Sequence, residues 1–203
     1  MVKTLDLPDN IKSTLTVVTS FPHDYRTGDQ MRGLLDLLID LPEELRAWPM
    51  IEIGSNTGDS AQMFSLFFRQ VYCIDAFIED YYMNVSGEEV YKRFISKTAD
   101  RNIELVRCLS GQAFDKPYRE QLPEKAGLIY IDCDHSYPSV KRDIFNSWPV
   151  LIGGGILCGH DYGLISPGQD GVKTAVDEIF GRPDRVYIDT SWKIRKIDGR
   201  MIF

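Results

Sequence analysis

Short runs rich in Ile, Val and Leu alternate with amphipathic stretches along most of the chain, and this alternation restricts the fold more than any other feature. Residues 50–53, 71–75, 103–107, 128–132, 155–158 and 185–189 read as strands. Residues 192–197 and 200–203 flank Asp198-Gly199 and read as a hairpin, because both turn residues tolerate positive φ. Helical patterns lie between. Residues 28–41 place Met31, Leu34, Leu35, Leu38 and Ile39 on one face. Ser86-Gly87-Glu88-Glu89 reads as a capping box that opens a helix with Val90, Phe94 and Ile95 inward. Val140, Ile144 and Trp148 recur every four residues after Pro138, and residues 171–180 carry Val172, Val176, Ile179 and Phe180 in the same way. Strands separated by helices predict a mostly parallel sheet, since a right-handed crossover between parallel neighbours needs a helix. Strands apolar on both faces predict burial between two helical layers. The expected fold is therefore α/β and doubly wound, with helices on both faces and the last hairpin adding an antiparallel strand. Such sheets bind ligands beyond the carboxyl ends of their strands, where the winding reverses.

The length of 203 residues suits one domain, with residues 1–48 as an N-terminal helical or lid segment and 49–203 as the core. At 43% hydrophobic and 26% charged residues the chain is too apolar for disorder. Thirty acidic against 23 basic residues give a formal net charge of −7, which argues against nucleic acid and against an anionic membrane surface as partners. The longest apolar stretch, Leu34 to Leu41, is interrupted by Asp36 and Asp40, and Met1-Val2-Lys3-Thr4-Leu5-Asp6 lacks the apolar run of a signal peptide. The cytosol is the default compartment. Cys73, Cys108, Cys133 and Cys158 are spaced by 35, 25 and 25 residues, which is neither a disulfide framework nor a zinc spacing, and they read as small buried residues at strand ends.

Chemistry gathers at two places. The first is Ile51-Glu52-Ile53-Gly54-Ser55-Asn56-Thr57-Gly58-Asp59-Ser60: a strand, a glycine turn, and a helix start that Asp59 or Ser60 can cap. Asp75 ends the next strand 21 residues after Gly54, where a carboxylate can take both hydroxyls of an unphosphorylated ribose. The glycines also suit a bare βα turn, and Asp75 a helix cap; together the features favour a nucleoside ligand. This arrangement resembles the class I S-adenosylmethionine-dependent methyltransferases, with their Rossmann-like sheet and Glu-x-Gly-x-x-x-Gly turn. The resemblance implies that Glu52, Gly54, Ser55, Asn56 and Gly58 form the turn at the methionine end of the cofactor, that Asp75 and Ala76 lie at its ribose, and that Ser110 borders its adenine.

The second place is Ile129-Tyr130-Ile131-Asp132-Cys133-Asp134-His135-Ser136-Tyr137, followed by Gly153-Gly154-Gly155-Ile156-Leu157-Cys158-Gly159-His160-Asp161-Tyr162. Two apolar strands each end in acid and imidazole, which is costly to bury without partners or a metal. The pattern is similar to the D-x-D-H-S-Y … G-G … H-D-Y signature of a methyltransferase subfamily that includes macrocin-type sugar O-methyltransferases, cephalosporin-hydroxylase-like proteins and, more distantly, catechol O-methyltransferase. The resemblance implies Asp132, His160 and Asp161 as ligands of Mg²⁺ or another divalent ion, and His135 as general base, with Asp132 and His135 also touching the cofactor. His160 stands where those enzymes offer an oxygen ligand, so a site with no ion stays open, as does His135 as an adenine contact. Asp134 reads as a turn cap. Residues 21–28 and 166–171 are candidate lids over the pocket.

The expected activity is S-adenosylmethionine-dependent O-methylation of a small-molecule acceptor such as a sugar or hydroxylated metabolite. The alternatives are a metal-dependent hydrolase or hydroxylase and a non-catalytic cofactor-binding subunit. The oligomeric state stays open, with a homo-oligomer among the options.

Overall fold

A computed structural model describes residues 26, 28–78, 84–163, 170–198, 200 and 201. The elements run α1 (Gly28–Ile39), β1 (Met50–Ile53), α2 (Asp59–Phe67), β2 (Val71–Ile74), α3 (Gly87–Thr98), β3 (Ile103–Val106), α4 (Ser110–Ala113), β4 (Ala126–Ile131), α5 (Tyr137–Ser147), β5 (Leu151–Gly159), α6 (Gly171–Phe180), β6 (Arg185–Val186) and β7 (Trp192–Arg195). The strands form one sheet in the order β3-β2-β1-β4-β5-β7-β6. β1 to β5 are mutually parallel; β7 runs antiparallel to β5, and β6 antiparallel to β7. This is the doubly wound α/β sheet expected from the sequence, with the winding reversing between β1 and β4.

The two-residue period of a strand divides the core. Met50, Leu128, Tyr130, Ile156 and Cys158 point to the layer holding Met31, Leu34, Leu37 and Leu38 of α1, Met63 and Phe64 of α2, and Phe94 of α3. Ile51, Ile53, Ile129, Ile131 and Leu157 point to the other layer, with Val140 and Ile144 of α5 and Val172, Val176 and Ile179 of α6. Ser86 caps α3 as expected, its hydroxyl accepting from the Glu89 main-chain N at 3.3 Å. Pro138 sits in the first turn of α5. Cys73, Cys108 and Cys158 are buried and Cys133 is half-buried, all with free thiols.

Three expectations need correction. Ile95 is 41% exposed, because the buried stripe of α3 runs Val90, Phe94, Thr98 and leaves residue 95 to one side. Leu37 belongs to the buried face of α1, whereas Leu35 and Ile39 sit half-buried at its margin. The antiparallel pair at the C-terminal end is β6 with β7, joined through Thr190 at φ 70°, and Arg200 and Met201 add no strand. Gly199 and residues 202–203 lie outside the described residues, as do residues 21–25 and 27 of the first candidate lid and 166–169 of the second. Among the described residues no helix is long and apolar enough to cross a membrane.

Candidate functional site

Parallel register brings the carboxyl ends of the strands level. Ile53 pairs with Ile74 and Ile131, Ile74 with Val106, and Ile131 with Gly159. Gly54, Asp75, Asp132 and His160 therefore leave the sheet side by side along one edge. At Gly54, with φ +91°, an added Cβ would fall 2.0 Å from the Asp132 carbonyl oxygen. The glycine is required because the exits of β1 and β4 touch, and a left-handed backbone there suits no other residue.

The turn after β1 is braced from below and from the side. Glu52 is 0% exposed and lies in the α1 layer, where the Ser60 hydroxyl donates to one oxygen and the Cys73 thiol lies 3.4 Å from the other. Burial pushes its carboxyl up to about 7, against the opposing hydrogen bond from Ser60. Neither Asp59 nor Ser60 caps α2: Gly58 holds that position at φ 87°, while Asp59 bonds Lys97 Nζ and accepts the Arg26 main-chain N at 3.5 Å. Ser55 is buried within the turn. Asp75 accepts the main-chain N of Asn56 at 2.8 Å on one oxygen and that of Phe77 at 2.7 Å on the other. Burial raises its pKa despite these bonds. Asp75 and Ala76 are both partly exposed at the mouth of this turn. Ser110 opens α4 and accepts from Arg142 Nη2 at 3.1 Å.

The exits of β4 and β5 form a second, charged cluster. His135 Nε2 lies 3.0 Å from Asp161 Oδ2 and 3.5 Å from Asp132 Oδ1. His160 Nδ1 lies 2.8 Å from Asp161 Oδ1, and its Nε2 is 3.8 Å from Asp189 Oδ2. Arg26 Nη2 pairs with Asp132 Oδ2 and donates to the Tyr130 hydroxyl at 3.3 Å. Burial lowers the His135 pKa, but the two facing carboxylates outweigh it and raise the imidazole to about 10. The same exchange holds Asp132 below its ordinary range, where burial is outweighed by Arg26 and His135, and holds Asp161 well below, outweighed by the two imidazoles. His160 is raised, its burial outweighed by Asp161 and Asp132. Asp134 caps its own turn as expected, accepting Ser136 N at 2.9 Å and the Ser139 hydroxyl at 2.7 Å.

The turns bearing His135 and His160 thus meet at one place, with His135 between the two carboxylates and His160 outside the set of ligand atoms to which the motif assigned it. The ligand atoms that converge within 4.8 Å of one another belong to Asp132, His135 and Asp161, while His160 stands behind Asp161. Both oxygens of both carboxylates already face protein donors: Arg26 and His135 on Asp132, His160 and His135 on Asp161. Mg²⁺ needs a near-octahedral oxygen shell, and this donor set does not fit it. Sequence reasoning missed Arg26, Tyr130 and Asp189 as members of the cluster. The available signal was parity: Glu52 and Tyr130 sit on strand positions that face the same buried layer, where a polar side chain must find a partner.

The fold of the sheet is shared with known proteins. The O-methyltransferase NovP superposes with a TM-score of 0.68 at 15% identity, covering 92% of this chain and 99% of its own. The O-methyltransferase from Bacillus cereus, solved in complex with SAH, gives 0.58 at 15% identity, covering 96% and 94%. CalS11, a calicheamicin methyltransferase, gives 0.59 at 16%, covering 96% and 95%. At these identities the likeness is one of fold, and no curated protein matches the sequence. A family model described as a methyltransferase domain matches residues 51–162, from the first strand and its glycine turn through the His160-Asp161 exit. That match takes in more than half of the sequence, including Asp75, Asp132 and His135, so the chain belongs to the methyltransferase-domain family.

Proposed function

We propose that the protein transfers a methyl group from S-adenosylmethionine to a hydroxyl of a small molecule, such as a sugar or another hydroxylated metabolite. The observation that carries this reading is the placement, along one sheet edge, of a carboxylate and glycine turn beside a proton-handling cluster. Asp75 and the glycine turn form the first, and Asp132, His135 and Asp161 the second. Two exposed apolar side chains on neighbouring exits support the cofactor assignment: Ile78 is 70% exposed and Leu109, just before Ser110, is 52% exposed. Both offer apolar surface suited to the faces of a purine. The structural neighbours named as O-methyltransferases support oxygen as the methylated atom, and CalS11, described as a TDP-rhamnose 3'-O-methyltransferase, supports a sugar-like acceptor.

The cofactor, when bound, supplies a methyl carbon made electrophilic by its sulfonium. The chain's own residues do the rest. Asp75 holds the turn through Asn56 and presents its carboxylate to the ribose hydroxyls. His135 faces the open side of the cluster and is the group that receives the acceptor's proton. Asp132 and Asp161 orient its Nε2, and they also hold it charged. His135 must therefore lose its own proton before it can act as a base, so the transfer speeds up as pH rises toward 10. No step here passes through a metal ion.

Calorimetry with S-adenosylhomocysteine tests the reading. The parent protein is expected to bind one equivalent, and Asp75→Asn, which keeps an acceptor for the turn but removes the charge, to bind at least about tenfold more weakly. Mass spectrometry of a panel of sugars and polyols incubated with S-adenosylmethionine should show one product heavier by a methylene. A parent that binds no S-adenosylhomocysteine overturns the proposal, and equal affinity in Asp75→Asn overturns the ribose assignment.

A further inference from the structure

We infer that Arg26 holds the place of a divalent cation at Asp132, so that this chain binds no metal at the exits of β4 and β5. The inference rests on the methyl-transfer reading for its consequence in catalysis, but its geometry stands apart from it. Arg26 is 6% exposed and lies just before α1, on the side of the sheet to which Tyr130 points. Its main-chain N donates to Asp59, its Nη2 to Asp132 and Tyr130, and its Cζ lies 5.8 Å from the centre of the Tyr130 ring. The helix that follows is packed hard onto the sheet. Met31, Leu34, Leu37 and Leu38 are buried, and at Gly33 an added Cβ would fall 2.2 Å from the Asp189 carboxyl carbon. The guanidinium is thus anchored from both sides.

It also adjoins a chain of polar contacts that runs back to Asp161. The Tyr130 hydroxyl lies 3.2 Å from the Ser191 hydroxyl, which donates to Asp189 at 2.8 Å; Asp189 faces His160, and His160 bonds Asp161. A guanidinium stays charged at every accessible pH. A divalent ion between Asp132 Oδ1 and Asp161 Oδ2 would have to displace the proton from His135 Nε2 and sit beside a fixed positive charge on the same carboxylate. The three residues that could chelate are near enough together to do so; Arg26 is what prevents it.

The test is a Mn²⁺ titration of the full chain, read by electron paramagnetic resonance and calorimetry, with methyl transfer measured separately with and without EDTA. The parent is expected to show no stoichiometric site at millimolar Mn²⁺ and an unchanged rate in EDTA. Arg26→Met, and Arg26→Gln as a second variant with the charge removed, should gain one site per chain, tightening Mn²⁺ binding by about a hundredfold or more. Asp132→Asn placed on either background should abolish that gain. Parent protein that binds one Mn²⁺ per chain and loses it in Asp132→Asn overturns the inference, as does a folded Arg26→Met or Arg26→Gln that binds none. If neither variant folds, parent protein without a Mn²⁺ site and with its rate unchanged in EDTA upholds it, and a Mn²⁺ site lost in Asp132→Asn overturns it. A parent that binds neither Mn²⁺ nor S-adenosylhomocysteine would sink the proposed activity and leave the metal result standing.

Discussion

Asp161→Asn changes the charge on His135 while leaving the shape of the site in place. Asp161 occupies left-handed backbone at φ 63°, a conformation that asparagine tolerates well among L residues, so the substitution adds no backbone strain. Its Oδ2 is the nearer of the two carboxylate partners of His135 Nε2, at 3.0 Å against 3.5 Å for Asp132. Together the two raise the imidazole from 6.5 to about 10 against the opposing effect of burial. If Asp161 supplies roughly half of that rise, slightly less than Asp132, its neutralisation returns His135 to about 8. The base form is the neutral one, so a lower pKa makes more of it. At pH 7.5 the neutral fraction climbs from about one part in 300 to about a quarter. The parent's kcat/KM should rise about tenfold per pH unit between pH 7 and 9, whereas the variant's profile should bend near pH 8 and level off below the parent's limit, because a less basic imidazole is a weaker base. Proton NMR of the imidazole Cε1 resonances, assigned with His135→Gln, gives the titration directly, and initial rates give the profile. A His135 that titrates at the same pH in both proteins, or a parent profile flat from pH 7 to 9, refutes the account of how this cluster holds its proton.

Glu52 holds its proton to about pH 7 when folded, against 4.5 for an ordinary glutamate, so the folded state binds more protons between those values and loses stability as pH rises through them. That loss amounts to about 3 kcal/mol, and urea midpoints at pH 5 and pH 8 should show Glu52→Gln nearly free of it; an equal slope in both proteins would contradict the burial of a protonatable Glu52. Gly54→Ala should cost more than about 2 kcal/mol, since its Cβ meets the Asp132 carbonyl at left-handed φ; a urea midpoint like the parent's would show that the exits of β1 and β4 are free to part. Asp132→Asn leaves the Arg26 guanidinium buried without its counter-charge and should cost about 3 to 5 kcal/mol, most of it recovered in the double variant with Arg26→Met. Additive losses in that cycle would mean the two groups are not coupled.

The strands of the sheet were legible because burial on both faces leaves a short run of Ile, Val and Leu that few other environments tolerate, and the site was legible because such runs ended in charge. What escaped depends on neighbours distant in the chain. The Asp198-Gly199 turn signal pointed to a hairpin at residues 192–203, yet the strand at 192–195 pairs with Arg185–Val186, where Tyr187 N bonds Ser191 O at 2.7 Å and Thr190 N bonds Tyr187 O at 3.0 Å. Neither Thr190 nor Ser191 advertises a turn as glycine would. The capping box placed the start of α3 correctly, but which face turns inward is set by Val90 and Phe94 against the sheet, and Ile95 lies beyond that stripe. Arg26 reaches Asp132 across 106 residues of sequence, and no local pattern encodes that meeting. The roles of the two histidines turn on the same geometry. His160 keeps the parity of Cys158 and turns toward Asp189, which leaves Asp161 to meet the imidazole arriving from the β4 turn. A motif gives the residue types at a sheet edge, but the side to which each strand exit turns decides which of them can share a proton. Here that rule puts His135 between two carboxylates and sets His160 to hold one of them still.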